Sequence, residues 1–509
     1  MVKFFKKMFK FFMGRLFIIS ILILLQLTMV IYAFYTLRNY GIVFLLLNEI
    51  LSLLVALSII NRDFNPAYKI SWILAVFLIP IAGTGLYILF GRARISKKTL
   101  KKLYTIINKS MNEIDDDDVL LNQITNPNIV KLSNYIKNTT GRQMYKGTKT
   151  TFLSPGEIWF NVMLDKLKKA KKFIFMEYFI IREGRLWDAT LEVLAQKVKE
   201  GVDVRLMYDD FGSINKVPYN FKKKVKGYGI KVVNFNPFRP KLSLFLNYRD
   251  HRKITIIDGN IGFTGGANLG DEYINLDAKF GHWKDSAIML EGEAVWSLTL
   301  LFLQSWEFST KVIENYDKYK PTLICEDDGF IQVFGDSPIS SHLTTENTYI
   351  NIINNAKTYV YITTPYLIID NEFLSALKTC AISGVDVKII VPHIPDKKII
   401  FYVTQSYYRE LILSGVKIYE YLPGFLHSKM IVSDDEVGMI GSANLDYRSL
   451  YLHFESSCVL YKTSSILDLA KDTNNIVSLS KQVTYEETKR RSLIKKAIAF
   501  ILRALSPMM

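Results

Sequence analysis

Cysteine and histidine are both scarce in this 509-residue chain. Its three cysteines, Cys325, Cys380 and Cys458, lie far apart and form no CxxC pair. That excludes a disulfide framework and offers no zinc-binding pattern, so they read as buried or incidental thiols of a reducing compartment. Only six histidines occur, which leaves imidazole chemistry few places to sit. No A-x-A-like cleavage site follows the first apolar run, and further apolar runs come after it, which argues against a removable signal peptide. Negative charge is also in deficit: 64 Lys plus Arg face 48 Asp plus Glu, a formal +16. Such a balance favours an anionic partner, either nucleic acid or a negatively charged membrane face.

The apolar runs choose between these two. Residues 16–35, 41–60 and 70–90 each approach the roughly 20 residues that span a bilayer, so residues 1–95 read as a membrane-anchoring region with two or three transmembrane segments. Lys3, Lys6, Lys7, Lys10 and Arg15 precede the first run, and Arg92, Arg94, Lys97, Lys98, Lys101 and Lys102 follow the third. The positive-inside rule places both clusters in the cytoplasm, which three full spans cannot satisfy. One run is therefore expected to be interfacial or re-entrant, with Glu49, or Pro80 with Gly83 and Gly85, as the cause. Residues 96–130 read as a polar linker whose run Asp115 to Asp118 is solvated.

Beyond the linker the chain repeats itself. KAKKFIFMEYFII (169–181) and KEGVDVRLMYDD (199–210) are echoed by NAKTYVYITTPYLII (355–369) and ISGVDVKIIVPH (382–393), and YGIKVVNF (228–235) by SGVKIYEY (414–421). Short β-branched runs alternating with helical stretches predict an α/β fold of two repeated halves, 131–325 and 326–480. Each is a mixed β-sheet flanked by helices, and together they form a pseudo-dimer.

The repeat carries a polar pattern, H-x-K-x4-D-x6-G-x2-N, in which His251, Lys253, Asp258, Gly265 and Asn268 match His427, Lys429, Asp434, Gly441 and Asn444. Residues two apart in a strand share a face, so each histidine projects beside its lysine. An imidazole beside an ammonium suits a phosphate, held by the lysine and approached by the ring. Asn268 and Asn444 follow glycines that let the backbone come close, and their N–H groups suit an oxyanion cradle. Asp258 and Asp434 belong to the candidate catalytic pattern, but Asp-Gly and Asp-Asp at hairpin turns favour a scaffold role over direct catalysis. Strand DSAIML (285–290) matches ESSCVL (455–460) once a short insertion is allowed. Asp285 and Glu455 are thus candidates to fix each imidazole's tautomer, with an ordinary strand-end acid an equal reading for Asp285. His282 and His453 fall near the same strands and suit a cleft-lining place, with a satisfied structural histidine the preferred reading.

The doubled pattern resembles that of the phospholipase D superfamily over roughly 130–480, and within it the bacterial cardiolipin synthases of the phospholipase D type. NPAYKISWILAVFLIPIAGTGLYILFGR (65–92), MEYFII (176–181), YDDFGS (208–213) and LNYRDHRKITIIDG (246–259) carry that narrower likeness. It implies condensation of two phosphatidylglycerols to cardiolipin and glycerol, without cofactor or metal. It also implies His251 as nucleophile, His427 as general acid and base, and Lys253, Lys429, Asn268 and Asn444 on the phosphate; the symmetry of the repeat leaves the histidine roles exchangeable. Where that family often has G-S-x-N, the first copy has Gly265-Gly266 and the second Gly441-Ser442, so a phosphate-binding serine carries over only to Ser442.

Expected partners are phosphatidylglycerol and anionic lipid of a bacterial cell membrane, with the catalytic portion facing the cytoplasm and homo-oligomerisation open. NFNPFRPKLSLFLNYR (234–249) has the composition of a loop dipping into lipid, or of a buried loop. Residues 481–509 contain a C-terminal amphipathic helix, suited equally to lying on anionic lipid or docking on the protein. The rival activities are a hydrolytic phospholipase D, a transferase using another alcohol, and a membrane-bound nuclease, which the anchor disfavours. Synthesis from a CDP-linked lipid is disfavoured because the D-x-x-D-G-x-x-A-R pattern is missing.

Overall fold

The computed structural model describes residues 21, 24–32, 41–91, 96–114, 118–237, 247–326, 328–340 and 342–508. Half of the first apolar run, the basic residues before it, Arg92, Arg94, Asp115 to Asp117 and residues 238–246 lie outside the described residues. The chain divides into two units, residues 1–96 with 238–246 and 501–509, and residues 97–237 with 247–500.

In the first unit, among the described residues, only Gly41–Ile60 is long and apolar enough to cross a bilayer. The third apolar run is no single span: helix Pro66–Leu78 stops at Ile79, and a second helix starts at Pro80. Proline lacks the N–H that would continue the first helix, and thirteen residues reach only about 20 Å against a hydrocarbon core of about 30 Å. Ile59, Trp72, Val76 and Tyr87 form a small core that Met508 joins. The Ser71 hydroxyl donates to the Ala504 carbonyl at 2.6 Å, so residues near the C-terminus pack on these apolar helices.

The second unit holds two sheets. In the first lie β1 (Thr148–Leu153), β2 (Phe173–Tyr178), β3 (Asp203–Asp209), β4 (Lys231–Phe235), β6 (Lys253–Ile257), β7 (Ile261–Gly265) and β8 (Ala287–Gly292), with the two-residue β5 (Arg249–Asp250) between β4 and β6 in sequence. The second sheet uses β9 (Phe330–Asp336), β10 (Tyr359–Thr363), β11 (Asp386–Pro392), β12 (Lys417–Tyr421), β13 (Met430–Ser433), β14 (Val437–Gly441), β15 (His453–Tyr461) and β16 (Ser480–Gln482). Strand order in the first is β1-β8-β7-β6-β2-β3-β4, and the second repeats it as β9-β15-β14-β13-β10-β11-β12, with β16 added beyond β12 and β5 pairing with β15. In both, the βαβ strands run parallel and the hairpin strands antiparallel. Helix Val295–Thr310 is apolar on nearly every face and almost wholly buried, as such a helix must be.

Residues 97–111, read from sequence as part of a linker, form helix Lys97–Met111 instead. Its composition is polar, but Leu103, Ile106 and Ser110 fall on one face and are buried.

Candidate active site

Each motif histidine precedes a hairpin in the middle of its sheet. His251 lies two residues before Lys253, which opens β6, and His427 two before Lys429, which immediately precedes β13. All four side chains are buried. Each lysine ammonium donates to the carbonyl of its own histidine, which holds it beside the ring.

The carboxylates cross over between the halves. His251 Nδ1 meets Glu455 Oε1 at 2.9 Å and Oε2 at 3.1 Å, while His427 Nδ1 meets Asp285 Oδ2 at 2.7 Å. The backbone is crossed in the same sense, His251 N donating to Phe454 O at 2.9 Å and His427 N to Lys284 O at 2.8 Å. Neither half contains a complete histidine–acid couple.

Burial holds His251 down at about 3, with the Lys253 charge adding to the effect and Glu455 opposing it. Burial and Lys429 hold His427 at about 4 against Asp285. Burial also lowers Lys253 to about 7 and Lys429 to about 8. Burial would raise both acids, but their histidine and lysine neighbours outweigh it and keep Asp285 and Glu455 below the usual carboxylate range. At neutral pH the free site therefore holds two neutral imidazoles, each donating Nδ1–H to a carboxylate and leaving Nε2 for chemistry. A phosphodiester adds negative charge and favours protonation of a ring or lysine. Binding a phosphodiester analogue at pH 7 is expected to take up about one proton or more per site, rising above pH 7–8 as the free lysines discharge. Calorimetric heats in buffers of different ionisation enthalpy measure this; proton-neutral binding would show that a histidine already carried the charge.

The two motif aspartates have structural work. Asp258 and Asp434 sit at φ 54 in their turns, a left-handed conformation that Asp tolerates. Asp258 accepts from the N–H groups of Lys171, Lys172 and Phe173 at 2.7–2.9 Å, and Asp434 from those of Lys357, Thr358 and Tyr359 at 2.7–3.0 Å. Both thus pin a hairpin to the start of the adjoining central strand, which corrects their place in the catalytic set. Asp258→Ala is expected to lower stability by about 1–3 kcal/mol, read from denaturant unfolding, and to leave kcat of the folded fraction little changed.

One phosphate-binding expectation also changes, that for Ser442. The Asn268 side chain accepts from Ile180 N at 3.0 Å and donates to Tyr273 OH at 2.8 Å, which orients an amide that still carries a second N–H. Ser442 is fully buried; its hydroxyl donates to Glu455 Oε2 and accepts from Ser456 N at 2.9 Å. It braces the acid rather than facing a phosphate. In the first half a Cβ on Gly266 would lie 2.1 Å from Asp285 Oδ1. The shorter acid sits where a serine side chain would begin. Asn444 Oδ1 is buried without a hydrogen-bond partner among the described residues, and a turned amide would present an N–H at that place.

Aromatic rings close the walls, a feature with no local sequence signal except that Trp283 stands two residues before Asp285. Trp283, Tyr273 and Phe425 ring centroids lie 5.2–5.8 Å from His427, and Phe179 lies 4.8 Å from His251. The position matching Trp283 is His453, 5.3 Å from the His251 ring. It is no satisfied structural histidine: among the described residues neither ring nitrogen has a hydrogen-bond partner, and Nδ1 stands 3.7 Å from Glu455 Oε1. His251, His453 and Glu455 bring ligand atoms within 4.8 Å of one another, a spacing that a cation fits, although Lys253 repels charge there. His282, by contrast, pairs with Tyr421 OH at 3.0 Å.

The chain is similar to known proteins in sequence and in fold. The sequence model described as cardiolipin synthase, PLD-like domain, matches residues 163–288 and 349–477, and one described as phospholipase D-nuclease N-terminal matches 50–92. An uncharacterised protein of Streptococcus mutans is 40% identical over 466 residues, covering 89% of this chain and 99% of that one. Cardiolipin synthase 2 of Bacillus anthracis is 36% identical over 464 residues, with 90% of each chain covered, and the cardiolipin synthase of Alkalihalophilus pseudofirmus 34% identical over 465 residues, with 89% and 92% covered. The crystal structure of phosphatidylserine synthase from Haemophilus influenzae superimposes on 74% of this chain and all of its own, with a TM-score of 0.57 at 14% identity, which speaks for the fold. With an apolar N-terminal region that associates with membrane and a doubled phospholipase D-like unit behind it, this chain belongs to the cardiolipin synthases of the phospholipase D superfamily, a family of phosphatidyltransferases.

Proposed function

We propose that the enzyme transfers the phosphatidyl group of one phosphatidylglycerol to a second, giving cardiolipin and glycerol through a phosphohistidine. The observation that carries this reading is the pair of imidazoles, each oriented by a buried acid from the opposite half and flanked by a buried lysine. His251 Nε2 attacks phosphorus, and the P–O bond to the departing glycerol breaks as that oxygen takes a proton from His427. A hydroxyl of the second phosphatidylglycerol returns a proton to His427, attacks phosphorus and expels His251. One phosphodiester replaces another, so no energy source is consumed. Lys253 and Lys429 neutralise the phosphoryl oxygens as the negative charge moves. The proposed setting is the cytoplasmic face of a bacterial cell membrane, where donor and acceptor are both presented by the bilayer.

Full-length protein incubated with phosphatidylglycerol in EDTA, without CDP-linked lipid, is expected to yield cardiolipin and glycerol in equal amounts. Phosphatidic acid alone would mark a hydrolase, and a strict metal requirement would sink the mechanism.

A further inference from the structure

Between helix Pro127–Thr140 and β1, Arg142 is 2% exposed, yet no carboxylate pairs with it among the described residues. Its Nη2 reaches Ser110 Oγ at 3.3 Å, and among the described residues its Nη1 has no hydrogen-bond partner. Burial lowers the guanidinium only to about 10, with Arg252 contributing in the same direction, so it stays cationic at neutral pH. A buried cation without a counter-ion is costly, and proteins usually supply one.

Arg142 lines a cavity of about 100 Å³, room for several water molecules or one tetrahedral oxyanion. A second guanidinium lines it too. Arg252 lies between His251 and Lys253, and alternation along the chain turns it to the opposite face from both. It uses Nε on Glu455 O at 3.2 Å and Nη1 on Ser305 Oγ at 3.0 Å, with Nη1 also 3.8 Å from the buried Glu177 carboxylate, and Nη2 makes no hydrogen bond among the described residues. Ser337 adds a hydroxyl, while Leu103, Ile106 and Phe308 make an apolar wall. Two guanidiniums in the lining of a half-apolar cavity suit an oxyanion that carries, or continues into, an apolar portion.

We infer that this cavity binds a phosphate-bearing anion, held by Arg142 and Arg252 on the face of the hairpin opposite the catalytic histidines. The site stands independently of the reaction assigned above. The chemistry is shared by free phosphate and by a lipid headgroup, the latter laying the start of its chains along Leu103, Ile106 and Phe308.

Equilibrium dialysis of the full-length protein in neutral detergent tests this, using labelled inorganic phosphate in one arm and dihexanoyl phosphatidic acid in the other. The wild type is expected to bind two equivalents. The Lys253→Met, Lys429→Met double variant retains the one that depends on Arg142, and Arg142→Met retains only the other. Ser337→Leu, which fills the cavity and keeps both guanidiniums, should lose the same equivalent as Arg142→Met. Binding of the short-chain lipid about tenfold tighter than phosphate assigns a headgroup, and equal affinity assigns free phosphate. Unchanged stoichiometry in either folded cavity variant overturns the site.

Discussion

In a His427→Asn variant, label from the phosphatidyl group of phosphatidylglycerol is expected to accumulate on His251, and turnover to fall by at least about 10³-fold. Asparagine keeps the size of the ring but can neither donate a proton to the departing glycerol nor accept one from the incoming alcohol. The first step tolerates this loss better, because water can protonate a leaving alkoxide, whereas an alcohol attacks poorly without a base. The covalent species should therefore outlast denaturation, be labile in acid as a phosphoramidate, and map to the peptide containing His251. Label on His427 in His251→Asn, with none in the converse variant, would exchange the roles. Label in neither would remove the covalent intermediate.

Glu455→Gln is expected to reduce kcat by about 10²–10⁴-fold, the range seen when the acid behind a catalytic histidine is neutralised. The amide keeps the volume but removes one of the carboxylate charges that offset the two buried lysines, and weakens the hold on the His251 tautomer. Because Glu455 touches His251 at 2.9 Å and Asp285 touches His427 at 2.7 Å, the two acids should separate by step. Glu455→Gln should cut the yield of trapped label in the His427→Asn background, and Asp285→Asn should do so much less. Relative to wild type, the stability of Glu455→Gln should recover as pH rises toward about 7–8, because loss of the Glu455 charge lowers Lys253 and Lys429 further and both discharge below the wild-type range. Equal effects of the two acids on trapping would mean that they serve the fold and not particular histidines.

The parts of this site that were legible in the sequence are those set by local spacing. His251 with Lys253, and His427 with Lys429, stand two apart before a strand, and the hairpin conformation of Asp258 follows from Asp-Gly itself. Residues whose roles depend on a partner far along the chain were harder to read. Asp285 and Glu455 could be located by matching strands, but nothing local says that each serves the other half's histidine. Ser442 resembles a phosphate ligand because it follows a glycine in the motif, and only the packing of Glu455 beneath it reveals a bracing role. His453 carries no local signal that its ring nitrogens are left without partners. In the fold, the parallel and hairpin strands were evident from β-branched runs and their repetition. Helix Lys97–Met111 was hidden by its lysines, since its buried stripe is narrow, and the break at Ile79 was signalled by Pro80 without its geometry.

The exchange of acids between halves has a consequence for inheritance. A substitution at Glu455 is felt by an imidazole encoded some two hundred codons upstream, and one at Asp285 by an imidazole far downstream. Gene duplication ordinarily frees one copy to drift while the other keeps working. Here neither half is self-sufficient, so a change in one is tested together with the other.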